Sequence, residues 1–244
     1  MHGATVLKGQ VLSFSGNPAV EGEKAISFWE KGAIVIEGGS ISAVGDDLTF
    51  PATSKLVDYG DHLICAGFVD GHVHYPQINV IASYGAQLLE WLDTYTFPEE
   101  IKYADPSIAE AASSFFLDEF LKNGFTTGAV YCTSQPVSVD VFFEEASKRD
   151  LRMIAGKVLM DRNAPKELLD TPKTGFDQSK TLIDKWHGKG RNLYAITPRF
   201  APTSSPEQLE LAGALFKSTE GVYVQSHVSE NVDEISWVQD LFPK

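Results

Sequence analysis

Cysteine is scarce in this chain of 244 residues, which has only Cys65 and Cys132. Two thiols so far apart in sequence form neither a disulfide framework nor a paired-cysteine zinc motif. A reducing compartment suits them. Basic residues are also short, with 20 Lys and Arg against 33 Asp and Glu and a net charge of -13. An acidic surface disfavours a phosphate backbone and an anionic bilayer, so nucleic acid and membrane are poor partners. No apolar run is long enough to span a bilayer. The opening stretch, Met1 to Gln10, lacks the basic region and long apolar run of a secretory signal. A cytoplasmic protein is expected. The apolar fraction of 43% and aromatic fraction of 11% are those of a globular chain. Its length can bury a sizeable core in one or two domains.

Residues 1–65 read as a small β-sandwich-like domain. Ala33 to Glu37, then Gly38-Gly39, then Ser40 to Val44 has the pattern of a hairpin whose two glycines suit a tight turn. Residues 66–244 change rhythm. Phe68 to His74 reads as a buried strand, followed by a long aromatic-rich connection from Tyr75 to about Ala104 that suits a lid over a pocket. Beyond it, strands and helices alternate. Asp105 N-caps a helix that starts at Pro106 and stops near Gly124, with Ile108, Ala111, Ala112, Phe115 and Leu121 on its inner side. Strands follow at Phe125–Tyr131, Met153–Leu159, Leu193–Thr197 and Val222–His227. Helices lie between them at Ser138–Arg149, Asp177–His187 and from Ser205 to about Thr219, and a last one begins at Asn231. Such alternation means an α/β fold with a parallel sheet and helical crossovers. A full eight-stranded barrel needs roughly 250 residues of its own. The expectation is a partial TIM-type (β/α) barrel of five βα units behind the small β-domain.

In a barrel, functional groups gather at the C-terminal ends of the strands. Here the first strand ends in His72 and His74. Residues two apart on a strand share a face, so the two imidazoles point the same way and make half of a metal site. The fourth strand ends in Thr197-Pro198-Arg199-Phe200, and the fifth in Gln225-Ser226-His227-Val228-Ser229-Glu230. His227 supplies a third nitrogen ligand. Glu230, three residues on, suits proton transfer at a metal-bound water. Arg199 is a fixed cation with several donors, suited to a carbonyl or an anionic heterocycle. Each residue alone has an ordinary structural use: a core histidine, a helix N-terminal carboxylate, a surface ion-pair partner. Their coincidence at strand ends favours a joint site. His62, His187 and His2 receive no role.

The Gly67-to-His74 strand, followed by later histidines at strand ends, resembles the amidohydrolase superfamily. The runs His72-Val73-His74-Tyr75-Pro76-Gln77, Glu90 to Glu99, Pro198-Arg199-Phe200 and Gln225 to Asn231 are similar to the guanine deaminase family within it. That resemblance implies one zinc ion, with iron as an alternative, bound by His72, His74 and His227. It implies guanine as substrate, hydrogen-bonded by Gln77 and Arg199 and packed by Phe200 and Trp91, with Glu230 moving protons. Hydrolysis would give xanthine and ammonia, and the full-length family members are commonly dimeric. Thr197-Pro198-Arg199 stands where two-metal relatives carry a modified lysine, so one metal is expected. The family also uses a histidine on a sixth strand and an aspartate on an eighth, and the sequence ends before both. An incomplete metal site, exposed strand edges and little activity of the chain alone are the expectation. Two alternatives stay open: another amidohydrolase deaminase, of cytosine, chlorotriazine or S-adenosylhomocysteine type, and a non-catalytic purine-binding fragment.

Overall fold

The computed structural model describes residues 3–85 and 87–243; His2 lies outside them. The chain divides into two compact units, with the boundary between Gly67 and Phe68.

The first unit contains β1 (Thr5–Phe14), β2 (Ile26–Glu37), β3 (Ser40–Gly45) and β4 (Lys55–Ile64). They form one four-stranded sheet in the order β3-β2-β1-β4, rather than the two facing sheets of a sandwich. Neighbours are antiparallel except β1 and β4, which run parallel. Gly38 and Gly39 join β2 to β3 with φ of 58° and 83°. Both values lie in the left-handed region that a two-residue hairpin turn demands. A helical turn, Pro18–Glu21, interrupts the β structure and is capped by the Asn17 side chain. The core of the unit is small: Ala4, Val6, Ala33 and Val35, packed by Leu48 and Phe50.

The second unit is α/β. Its parallel strands are β5 (Phe68–His74), β6 (Phe125–Tyr131), β7 (Arg152–Gly156), the two-residue β8 (Val158–Leu159), β9 (Leu193–Pro198) and β10 (Tyr223–Val224). The sheet order is β10-β9-β7-β6-β5, with β8 also on β9. Each strand thus lies beside the one before it, as in the opening part of a βα barrel. The helices are α1 (Pro106–Lys122), α2 (Pro136–Lys148), α3 (Pro172–Trp186), α4 (Pro206–Ser218) and α5 (Val232–Leu241). Four of them begin at residues whose side chains cap them: Asp105, Thr171, Ser205 and Asn231. Among the described residues, no helix is long and apolar enough to cross a membrane.

Three sequence expectations shift. The inner face of α1 is Ala109, Ala112, Ser113, Phe116, Leu117 and Phe120, whereas Ile108, Phe115 and Leu121 are exposed. Both sets have helical spacing. Tertiary packing decides between them, because Phe116 meets Tyr75 and Phe142. The strand Met153–Leu159 is broken at Lys157, whose fully buried ammonium turns aside to pair with Asp170. At Gly156 a Cβ would lie 1.8 Å from the Ala195 carbonyl oxygen, so only glycine lets β7 run this close to β9. The last strand keeps its ladder only over Tyr223–Val224, yet the His227 amide still donates to the Arg199 carbonyl at 2.9 Å.

The connection Tyr75–Ala104 is packed rather than loose. Tyr75 and Tyr103 are fully buried in the main core, while Tyr84 is exposed. Its middle is a helical turn, Leu88–Trp91, then a π-helical stretch, Leu92–Thr96, then a turn at Phe97–Ile101. π-Helical segments are rare and concentrate at functional sites.

Candidate active site

His72 and His74 end β5, one edge of the sheet, and His227 follows β10, the other edge. Four strand spacings would hold these edges roughly 19 Å apart in a flat sheet. Instead His227 Nε2 lies 3.1 Å from His72 Nε2 and 2.9 Å from His74 Nε2. The sheet therefore curls as a barrel does, and the ends of its first and last strands meet.

The three imidazoles form a cluster whose nitrogens lie within 4.8 Å of one another. The His227 Nδ1–H donates to the Arg199 carbonyl at 2.8 Å. A neutral ring that donates from Nδ1 leaves its Nε2 with a lone pair, the form a metal takes up. Burial lowers the pKa of His74 well below its ordinary value, and the Arg199 charge adds to this. Burial likewise brings His227 down to about 4. Both rings are neutral at pH 7, so bare nitrogens converge on one point, which is unfavourable unless a cation or a proton sits among them. In a tetrahedral zinc site, bonds of 2.0–2.1 Å separate neighbouring ligand nitrogens by roughly 3.3 Å, close to the spacing here. The donor set fits a transition-metal ion of the imidazole-loving kind.

Tyr131, the last residue of β6, forms the floor. Its ring stacks on His74 with centroids 4.4 Å apart and lies 4.5 Å from that of His227 and 4.9 Å from that of His72. Burial raises the pKa of its phenol, so it stays protonated. Tyr131 also stands at a strand end, but a tyrosine closing an apolar strand looks like core in the sequence.

Beside the cluster opens a cavity of about 180 Å³. Gln77, Trp91, Arg199, Phe200 and Glu230 all line it together with the three histidines, as do Leu88 and Leu92. Arg199 is 2% exposed and Phe200 4%. Trp91 is half-buried, its indole N–H donating to the Ser83 carbonyl at 3.2 Å. Glu230 is exposed at the rim. Partial burial raises its pKa, and the nearby Glu234 carboxylate raises it further. Glu234 is itself buried and accepts the amides of Ser229 and Glu230 at 3.1 and 2.7 Å. Ser229 has φ of 59°. That left-handed residue, costly for serine, lets side chains at 227 and 230 turn to one cavity.

Two further carboxylates escaped the sequence reading of the site. Glu100 is fully buried opposite Arg199, and Glu99 accepts from the Asn79 side chain at 2.8 Å. His62 and His187 stand apart from the cavity. The first bonds the Tyr59 carbonyl, and the second accepts the Tyr194 amide.

A curled parallel sheet with histidines gathered at the C-terminal ends of its first and last strands is the arrangement of the opening half of a βα barrel, at the face where such folds place their sites. The chain belongs to the amidohydrolase family, whose model matches residues 63–244. Guanine deaminase of Escherichia coli is 49% identical over 223 residues, which is 90% of this chain and 51% of that protein. The solved structure of E. coli guanine deaminase superposes with a TM-score of 0.94 at 46% identity, covering 98% of this chain and 57% of that one. A guanine deaminase from C. acetobutylicum, solved with guanine bound in its active site, gives a TM-score of 0.88 at 29% identity, covering 98% and 56%. The chain spans about half the length of the curated relatives it matches.

Proposed function

We propose that this protein takes part in the hydrolytic deamination of guanine to xanthine and ammonia, with one zinc ion at His72, His74 and His227. The observation that carries this reading is the shared cavity: a three-imidazole cluster and the heterocycle-sized space lined by Gln77, Trp91, Arg199 and Phe200 are continuous. Bound there, the metal supplies Lewis acidity that lowers the pKa of a coordinated water to about 7. The chain's own residues supply the rest. Phe200 and Trp91 pack on the purine faces. Arg199 donates to a carbonyl oxygen, and Gln77 reads the adjoining edge. Glu230, with its pKa raised by its surroundings, takes the two protons of the water in turn, passing the first to the ring nitrogen and the second to the departing amine. The water oxygen adds to the amino-bearing carbon as the ring C=N bond opens, and the C–N bond to the amine then breaks as ammonia leaves.

On this reading, residues 66–244 are the first five βα units of the barrel and residues 1–65 a separate β-domain. The setting is cytoplasmic and the assembly of the full-length form a homodimer, with neither nucleic acid nor membrane as partner; the net charge of -13 supports the last two points. The test is zinc and guanine binding by the purified chain, with xanthine release followed alongside. Wild-type protein is expected to bind zinc measurably at the three histidines. His227→Ala is expected to weaken zinc binding by at least about 100-fold, as losing a ligand exceeds the loss of an outer-shell partner. Equal zinc affinity in both proteins, or guanine bound no better than an unrelated heterocycle, overturns the reading.

A further inference from the structure

We infer that Glu100 is a positioning residue that sets the hydrogen-bond polarity of the substrate pocket by holding Gln77 and Arg199 at once. The inference rests on the purine reading above and adds a residue to it. Glu100 lies in the turn Phe97–Ile101, away from every strand end, and its side chain is wholly buried. Its carboxylate accepts twice from Arg199 Nη1, at 3.0 Å to Oε1 and 2.7 Å to Oε2. Oε1 also accepts from Gln77 Nε2 at 3.3 Å.

Two consequences follow from the chemistry of the groups. A carboxylate only accepts hydrogen bonds. The amide of Gln77 must therefore turn its NH₂ end to Glu100, which leaves its carbonyl oxygen as an acceptor for a ligand. Arg199 is likewise fixed. Its Nη1 is taken by Glu100 and its guanidinium sits 5.1 Å over the Phe97 ring. Among the described residues Nε and Nη2 have no partner, so these donors remain for a ligand. The cavity thus offers an acceptor beside donors. That pattern complements an edge carrying an N–H beside a carbonyl oxygen, the lactam edge of an oxopurine. An aminopurine without that carbonyl and N–H meets an unpaired guanidinium and an unpaired carbonyl. Without Glu100 the Gln77 amide is free to flip and the discrimination fades.

The test compares the affinities of guanine and 2-aminopurine, which lacks the lactam, by calorimetry on the purified chain. Wild-type protein is expected to prefer guanine. Glu100→Gln keeps the shape but presents an amide able to donate as well as accept. It is expected to erode the preference by roughly 10- to 100-fold, mostly by loss of guanine affinity. Glu100→Asp keeps the charge opposite Arg199 but draws back from Gln77, and should lose the preference in part at an unfolding midpoint near that of wild type. It decides the matter if Glu100→Gln fails to fold. A preference kept intact in a folded variant overturns the inference and leaves the guanine reading standing. Equal weakening of both ligands shows a merely structural role and overturns it as well. Wild-type protein with no preference for guanine overturns the guanine reading, and this inference with it.

Discussion

The histidine cluster and Arg199, backed by Glu100, meet at one cavity, yet they are assembled from different kinds of contact. His72 and His74 are placed by strand register, two residues apart on β5, and His72 is exposed. Arg199 and Glu100 stand 99 residues apart in sequence and are almost wholly withdrawn from water. The first arrangement is set by strand register and strand ends, with His227 153 residues beyond His74, and it stays partly open. The second is set by one closed ion pair whose charges are already matched. On the proposed function, such a site separates the place where bonds change from the place where a ligand is read. Each half follows its own physical rule.

The sharpest way to break the contrast is to unpair the buried side. Glu100→Ala leaves the Arg199 charge desolvated and should cost about 3–5 kcal/mol. The double change Glu100→Leu with Arg199→Met removes both charges and should be far milder, because a buried pair and a well-packed apolar pair have similar stability. Urea unfolding of the three proteins checks this. Equal destabilisation by the single and the double variant would mean that the pair is not the organising contact.

A second prediction concerns the histidine side and acts through pH. His227 sits at about 4 in the fold against 6.5 in an open chain. Between those values the unfolded chain binds a proton that the folded one refuses, so stability falls as the pH drops from about 6.5 to about 4. Partial exposure of the ring keeps the slope below a limit of about 1.4 kcal/mol per pH unit. Denaturation of metal-free protein across that window should show the fall, to which His74 adds, and His227→Gln should lessen it. A wild-type profile with no slope there would remove the case for a desolvated imidazole.

The smallest effect is expected at the rim. Glu234→Gln keeps one acceptor for the amides of Ser229 and Glu230 but loses the charge, for about 1 kcal/mol. Hydrogen exchange at those two amides should quicken while exchange in β6 and β9 stays as it was. Unchanged exchange would show that the loop holds itself without Glu234.

How far each half could be read in the sequence follows the same division. Alternation of strand and helix, the capping residue Asp105, the helix starts at Ser205 and Asn231, and the Gly38-Gly39 turn all act over a few residues and are legible there. So are the histidines, because strand ends and spacing of two place them. The inner face of α1 is not, since two overlapping apolar stripes share Ala112 and only the neighbouring Tyr75 and Phe142 choose between them. Lys157 is not either: within an apolar run it looks like strand, and only the distant Asp170 explains its turn away. Glu100 reads as one more surface acid in a Glu99-Glu100 pair until Arg199 is seen across from it. Long-range ion pairs leave no periodic trace.

On the proposed function, the groups that read the ligand are unevenly distributed along the chain. Gln77, Leu88, Trp91, Leu92 and Glu100 belong to one continuous excursion, while the three histidines belong to the strand framework. The excursion leaves the sheet after His74 and rejoins it through α1. On that proposal, much of the specificity rides on an exchangeable cassette. A different segment joined at the same two anchor points would present a different edge to the same cluster of nitrogens. Redesign of what this scaffold accepts reduces to rewriting some thirty consecutive residues, with Arg199 and Phe200 as the fixed wall against which any replacement must fit.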